Sequence, residues 1–525
     1  MNILGIGGIG REPAAALLRD GQLVAAMEEV KIARRHQGSG LPLESLDACL
    51  EIAQVEPGDI DIIAVVRPVP ANLAETLNST LRSRFPRARM ILVEHHLAHA
   101  ASAFYASPFE NATVLTLDRR GDVQCGARWI GSGNHLTLDS EMYFPDSLGD
   151  VYSRVTELLG FQSNADEHKT QWLSATGDDR YREMFLEILG GLASEMPRID
   201  HSYFDSARLA GGGFSEKFFH KLGLGDAARW TSSDRANIAA GMQRAIEQVV
   251  IAMAKDARHV CIAGGLAFNA MLVAALESHP QFEGVFAQPA AGNSGTALGA
   301  VLHAWHSVAL QKSRVAMGDY CYGPGFDAEA IKRVLENCKL RFRYLLTSDE
   351  VIETAVARLS ENKIVAWMQG RMEFGPRALG NRSLLASPLD PYSTENLNAF
   401  IKRREGFRKF AASVPAELAQ DYFETGPNAR FLASMSQVRP AYQDRFAAAI
   451  LSGRLLRVHA VSREDNPLYW RLLHEAGKRT GLPVLYNTSF NLFGEPLVSS
   501  PRDAVRSFYS SGVDTMLVGS FLLDK

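Results

Sequence analysis

Cysteine is scarce and scattered. The five present, Cys49, Cys125, Cys261, Cys321 and Cys338, form no CxxC pair and leave one over in any pairing. That indicates neither a disulfide framework nor a zinc ribbon and points to a reducing cytoplasm. Neither charge sign is in large surplus. A formal net charge of −4 gives no electrostatic reason to expect a nucleic-acid partner. No stretch reaches the roughly 18 apolar residues of a membrane span. Met1–Gly10 lacks the basic start and long apolar core of a signal peptide. What is there is a globular composition, 46% hydrophobic and 22% charged, over 525 residues, enough for two or three domains.

The most informative stretch is Gly370–Ser383, GRMEFGPRALGNRS, which follows the apolar run Ile364–Met368, read as a buried strand. It carries Arg371, Arg377 and Arg382, punctuated by Gly375, Pro376 and Gly380, so turn-rich backbone is expected rather than one long helix. Arginine offers a planar fork of donors that fits phosphate or carboxylate. The stretch therefore reads as a phosphate site, with a solvated basic loop as the alternative.

Earlier in the chain, residues 2–6 read as a strand, followed by Gly7, Gly8 and Gly10. A second strand over Pro13–Leu18, the turn signal Asp20-Gly21 and a third strand over Leu23–Met27 come next. Val114–Ile130 has a similar look, strand, Gly121, strand; the alternative is two unrelated hairpins. Helices are expected over Leu43–Ala53 and Ala71–Phe85, and strands over Ile60–Val66 and Met90–Val93. His95 and His99 lie four apart, so on a helix both imidazoles share one face. Asp118, at the end of the strand Val114–Leu117, can complete a two-histidine, one-carboxylate set. Further on, Ser147–Leu159 and Asp234–Ala254 read as helices, the latter with a Met-bearing stripe that belongs to core packing. His259–Ala263 is a strand feeding Gly264-Gly265 and a helix, a turn at which backbone amides can approach a phosphate. After Pro324-Gly325, strands and helices alternate. Lys402, Arg403, Arg404, Arg408, Lys409 and Arg457 would suit one polyanion if they met, and are otherwise dispersed surface charge.

The phrases HHLAHAA (95–101), GGLAFN (264–269), GNSGTALGA (292–300), GRMEFGPRALGNRS (370–383), KRREGFRKF (402–410) and NTSFN (487–491) occur in this order. In wording and order they resemble the antibiotic and nodulation-factor O-carbamoyltransferases. The resemblance implies an α/β protein with an actin/Hsp70-like (Kae1-like) transfer domain at 1–340. A YrdC-like domain at 341–525 would bind carbamoyl phosphate and ATP, with the last residues able to pack back on the first domain. It implies a divalent metal, iron, on His95, His99 and Asp118. The family's fourth ligand is an aspartate where this chain has Asn293, an uncharged ligand at most. Contacts to carbamoyladenylate carry over to Gly149, Lys169, Gly264, Gly265 and Asn269. Contacts to carbamoyl phosphate and Mg²⁺-ATP carry over to Arg371, Arg377, Lys402, Arg408, Arg457, Asn487 and Ser489. Asp118, Arg377 and Arg408 carry over as catalytic residues. The implied partners are a small-molecule hydroxyl acceptor, carbamoyl phosphate and ATP, without nucleic acid or membrane and with oligomers possible; the implied setting is antibiotic or related natural-product biosynthesis. The insertion at 195–232 would help to form the acceptor pocket. Three departures stand out. Arg11-Glu12 replaces the family's His-Asp, Arg119-Arg120 stands where a glycine is usual after Asp118, and Asp166–Leu173 replaces a glycine-rich turn around Lys169. Asn293, Arg11 and Arg119 keep open the reading of a nucleotide-binding regulator without transfer chemistry. A tRNA threonylcarbamoyl-type enzyme, which shares the two folds, is the other alternative, with fusion in one chain and no basic surplus against it.

Overall fold

Ile3, Leu4 and Ile6 are all shut off from solvent, so the first strand has both faces covered, as expected of a strand with parallel neighbours. The structure is a computed structural model that describes residues 1–35, 40–192, 195–205, 207, 211–314, 317–403 and 408–525. In it β1 (Asn2–Gly7) pairs antiparallel with β2 (Ala14–Arg19), which pairs antiparallel with β3 (Gln22–Glu28). The connecting Asp20 and Gly21 have φ of 49° and 81°, a left-handed pair that suits the right-handed twist of a hairpin. On its other edge β1 runs parallel to β4 (Ile62–Val66), and β4 to β5 (Arg89–Val93), giving the order β3-β2-β1-β4-β5.

A second sheet repeats this plan. β6 (Asn111–Gly121), β7 (Gln124–Ser132) and β8 (His135–Tyr143) form an antiparallel meander, and β9 (His259–Ala263) and β10 (Gly284–Ala287) add in parallel to β6. Strand order and sense match the first sheet throughout. This is the duplicated unit of the actin/Hsp70-like fold. The two hairpins read from the sequence are therefore related, and each is a three-stranded meander.

Six helices position the site: α1 (His95–Phe104), α2 (Leu148–Leu158), α3 (Glu167–Ser174), α4 (Ser232–Met253), α5 (Ala270–Ser278) and α6 (Gly295–His303). Small residues let α6 come very close to its neighbours. A Cβ on Gly299 would lie 1.7 Å from the Ala98 carbonyl oxygen of α1, and one on Gly5 of β1 would lie 2.3 Å from that of Ala297. One apolar cluster joins α1 and α6 to both sheets through Ala98, Ala101, Ala297, Leu298, Val114 and Ile3. Among the described residues no helix is long and apolar enough to cross a membrane.

The third sheet has ten strands: β11 (Arg343–Tyr344), β12 (Val365–Met368), β13 (Arg382–Ala386), β14 (Ala411–Pro415), β15 (Phe423–Glu424), β16 (Met435–Val438), β17 (Leu455–Val461), β18 (Leu485–Ser489), β19 (Thr515–Val518) and β20 (Phe521–Asp524). The last strand, β20, stays within this sheet between β11 and β19.

The stretch GRMEFGPRALGNRS supplies the loop between β12 and β13 and, with Arg382-Ser383, the start of β13, and it holds no helix. Its frame is Glu373, fully buried, whose Oε1 accepts the N–H groups of Leu379 (2.8 Å), Asn381 (2.9 Å) and Arg382 (3.0 Å). The first sheet holds it from outside. Lys31 Nζ donates to the carbonyls of Glu373 (2.9 Å) and Gly375 (2.6 Å), and the Gly375 N–H donates to Glu28 Oε1 (2.8 Å). Gly380 closes the loop with φ 93°, and a Cβ there would sit 2.2 Å from the Tyr469 ring. Gly380→Ala combines left-handed strain with overpacking and is expected to cost roughly 2–4 kcal/mol. Urea unfolding measures it, and a loss below about 0.5 kcal/mol would mean that the Tyr469 ring yields freely.

Candidate functional site

The β6–β7 pairing breaks after Leu117 and resumes at Gly121. Asp118, Arg119 and Arg120 are thereby freed from the ladder. Asp118 faces α1, which begins at His95 directly after β5. His95 Nε2 lies 3.0 Å and His99 Nε2 3.4 Å from Asp118 Oδ2, and the two imidazole nitrogens lie 3.1 Å apart. Three ligand atoms thus converge within 4.8 Å, the arrangement of a cation site with two nitrogens and one carboxylate. Burial pushes the Asp118 carboxyl up, but hydrogen bonds from His95 and His99 and their charge overcome that and hold it well below the usual carboxylate range. Burial also keeps His99 neutral, the form in which an imidazole ligates.

Asp118 lines a cleft of about 290 Å³. Gly149 and Gly265 form part of its wall, as do Asn269 and Asn293. The glycines are there because the backbone is crowded: a Cβ on Gly149 would lie 2.8 Å from Arg119 backbone atoms. Gly264 has φ 91° and would meet the Leu117 carbonyl at 2.2 Å, so it shapes the turn from behind. Asn269 caps α5, accepting the N–H groups of Met271 (3.2 Å) and Leu272 (3.1 Å). Lys169 is on α3, not in a loop. It pairs with Asp166 at 3.2 Å, while its neighbours Glu167 and His168 line the cleft. None of the described residues of 195–232 lines it; residues 206 and 208–210 lie outside the described residues.

The opposite wall includes Arg377, from the loop before β13. Burial lowers its pKa to about 10, and the charge of Arg408 adds to the effect. Arg457 on β17 is driven well down by burial and then by Arg377. Arg377 thus opposes the charge of two other guanidiniums from separate elements, Arg408 and Arg457. Neither Arg377 nor Arg457 has a hydrogen bond or ion pair among the described residues, and Arg457 Nε is buried without a partner. Its guanidinium lies 5.8 Å from the Trp172 ring centroid on α3. His168 is held at about 4 by burial, with Arg408 and Arg377 contributing. Concentrated positive charge of this kind suits a polyanion. Asn487, on β18, gives its amide N–H to the Ala378 carbonyl (3.1 Å) and has Oδ1 buried without a donor.

Other residues expected at the phosphates serve elsewhere. Arg371 ties the halves of the chain together, donating to the carbonyls of Gly323 (2.9 Å), Val24 (2.8 Å) and Tyr322, and is not part of the cleft wall. The reason is geometric: its loop end abuts the segment that leads out of the second sheet. Arg382 is fully buried and cross-links Gln369 (2.6 Å) and Pro324 (3.0 Å). Lys402 Nζ binds the turn after β18, at Asn491 Oδ1 (2.8 Å) and the Asn491 carbonyl (2.9 Å), where Ser489 Oγ donates to the same Oδ1 (2.7 Å). Arg404 lies outside the described residues. Sequence reasoning missed His168, Glu12 and Asn164 as cleft residues. Their only signal was that they lie in or beside segments departing from the resembled phrases.

Residues 70–302 match the family model described as carbamoyltransferase N-terminus, and residues 356–525 match carbamoyltransferase C-terminus. The chain is 33% identical to an uncharacterized protein of Synechocystis, with all of this chain and 97% of that protein aligned. It is 32% identical to the nodulation protein NolNO of Sinorhizobium fredii, over 98% of this chain and 78% of that protein. Among solved structures, HypF of T. kodakarensis aligns at 14% identity and a TM-score of 0.33, over 60% of this chain and 49% of that one.

Proposed function

The chain belongs to the carbamoyltransferase family, and on that premise we propose that it is an ATP-dependent O-carbamoyltransferase. It takes the carbamoyl group of carbamoyl phosphate, through a carbamoyladenylate, to a hydroxyl of a small-molecule acceptor of the natural-product kind. The observation that carries this reading is the position of Arg377. It belongs to the arginine cluster beside the third sheet, yet it lines the same cleft as Asp118 of the second sheet. An intermediate made at the arginines can therefore reach the transfer site without leaving the protein.

In the first step water displaces phosphate from carbamoyl phosphate, giving carbamate. A carbamate oxygen then attacks the α-phosphorus of Mg²⁺-bound ATP, forming carbamoyladenylate and releasing pyrophosphate. Arg377, Arg408 and Arg457 stabilise the charge that builds on the phosphoryl and leaving groups. They are pre-organised for it because the fold already holds them near one another, Arg457 buried and Arg377 and Arg408 half-buried. In the second step the acceptor hydroxyl attacks the carbamoyl carbon, AMP leaves, and the hydroxyl proton passes to a base. His95, His99 and Asp118 would hold a divalent ion, iron by resemblance, and such an ion supplies Lewis acidity for a carbonyl or phosphoryl oxygen. The residues fit it: three ligand atoms already face one point, and His99 is buried and neutral. Pyrophosphate release from ATP and carbamoyl phosphate is the direct test. Its complete absence would leave a nucleotide-binding relative without transfer chemistry.

Asn293 lines the cleft beside Asp118, where a carboxylate would add charge for a cation. Asn293→Asp is expected to tighten manganese or iron binding by roughly tenfold or more. Calorimetric titration checks it, and unchanged affinity would remove position 293 from the metal's surroundings.

A further inference from the structure

Two of the three departures from the family's phrases meet at the mouth of the cleft. Arg11 NH1 donates to Asn164 Oδ1 at 3.3 Å and its NH2 donates to the Asn164 carbonyl; Arg119 NH1 donates to the same Oδ1. Two guanidiniums that are 153 and 45 residues from Asn164 in sequence are thus drawn to one neutral acceptor. Arg119 also pairs with Asp150 at 2.9 Å, but Asp150 is shared with Arg154 at 2.6 Å. Arg11 has no ion pair among the described residues. Arg119 and Arg154 therefore share one carboxylate, while the carboxylate that feels the charge of Arg11 is the neighbouring Glu12. Asn164 is itself held at φ 64°, left-handed, and its N–H donates to Glu167 Oε1 at 2.6 Å. The other carboxylates of the cleft are engaged: Asp118 by the two histidines, Glu167 by Ser153 Oγ (2.7 Å) and the Asn164 N–H, and Glu12 by the charge of the adjacent Arg11 and then by the backbone N–H of Asn293. Arg11, Arg119 and Asn164 all line the cleft, Arg11 is exposed and the Arg119 side chain is 44% exposed. These cations are distinct from Arg377, Arg408 and Arg457, which would serve the nucleotide and carbamoyl phosphate.

We propose that Arg11 and Arg119 bind an oxyanion of the acceptor, so that this enzyme carbamoylates a hydroxylated molecule bearing a carboxylate, sulfate or phosphate group. The inference rests on the carbamoyl-transfer reading for its acceptor. The chemistry is that of guanidinium forks. Each presents paired N–H donors to an oxyanion, and neutral carbonyls can be exchanged for it at little cost, whereas breaking a buried ion pair would be expensive. The anion relieves repulsion between two cations that now share one acceptor atom, and it fixes the acceptor at the cleft mouth with its hydroxyl directed inward to the Asp118 end.

The test is a calorimetric titration of the full-length protein with sulfate in the presence of saturating AMP. The unsubstituted protein is expected to bind one sulfate. Arg11→Gln and Arg119→Gln are each expected to weaken binding at least tenfold, with unfolding midpoints close to the unsubstituted protein because both side chains are at the rim. Glucuronate is expected to displace the sulfate, and glucose, with the same ring hydroxyls and no charge, is not. Sulfate binding that is seen without AMP and lost at saturating AMP would assign the pair to the nucleotide phosphate and overturn the proposal. So would unaltered affinity in both variants, or glucose competing as well as glucuronate. None of these readouts needs turnover. Pyrophosphate release from the unsubstituted protein tests the carbamoyl-transfer reading separately, so the two failures are distinguishable.

Discussion

Arg377→Ala is expected to lower pyrophosphate release from ATP and carbamoyl phosphate by two to three decades, about 3–4 kcal/mol of transition-state stabilisation. The unfolding midpoint should hardly move. The two halves of that expectation come from the same fact. Arg377 is half-buried, its charge is opposed by that of Arg408 and its side chain has no hydrogen bond or ion pair among the described residues, so the resting fold gains little from its charge. Only a bound polyanion gives that charge a partner. Arg382, five residues away, should behave in the opposite sense. It is fully buried and answers the carbonyls of Gln369, Gly370, Asn381 and Pro324. Arg382→Ala leaves buried acceptors unpaired and should cost roughly 3 kcal/mol or more of stability. Pyrophosphate release and urea unfolding, measured on both variants, separate the two roles. Near-normal release in Arg377→Ala would take the arginine cluster out of the mechanism.

That contrast also marks what the sequence could and could not tell. All three arginines of the loop have the same side chain within twelve positions. Which one faces the cleft is decided by carbonyls that arrive from Val24 and Tyr322 for Arg371 and from Pro324 for Arg382. No local pattern encodes partners so distant. The hairpins of the first two sheets were legible because the apolar runs are dense and Asp20-Gly21 is a turn signal with a backbone cause. β8 was not, because His135–Tyr143 is an edge strand that leaves most of its side chains in contact with solvent, and a solvated edge carries little apolar pattern. The face shared by His95 and His99 followed from helical spacing. Asp118 was legible as the third member from its place at a strand end, and the fold adds the break in the β6–β7 ladder that turns it toward α1. α3 escaped notice because its buried residues, Thr170, Gln171, Trp172 and Ser174, are mostly polar and give no apolar stripe. They are nonetheless the residues that set Trp172 beside Arg457.

His99→Ala is expected to stop carbamoyl transfer to the acceptor while leaving ATP and carbamoyl phosphate consumption in place. His99 is buried on α1, in contact with His95 and with Asp118, the member of the set that lines the cleft. Removing it takes one nitrogen from the three-atom set and opens a void beside Asp118, so the transfer step should fall by two decades or more. The arginines that serve adenylate formation keep their surroundings. Asp118→Asn is a second variant with almost no change in volume, and it should show the same split. Arg377→Ala, in contrast, should stop both steps, because transfer has nothing to transfer. Mixing His99→Ala with Arg377→Ala then tests passage through the shared cleft. One partner makes adenylate and the other could use it, so free diffusion would restore product. Little restoration is expected, since Asp118 and Arg377 line one cavity, and a hydrolysable anhydride handed over inside one chain has an effective concentration far above its bulk value. Product is read as the mass gain of one carbamoyl group on the acceptor. Substantial restoration would show that the intermediate leaves the cleft and survives. Loss of pyrophosphate release in a folded His99→Ala or Asp118→Asn protein would show that the histidine–aspartate set serves activation, and the assignment of two steps to two ends of the cleft would fall.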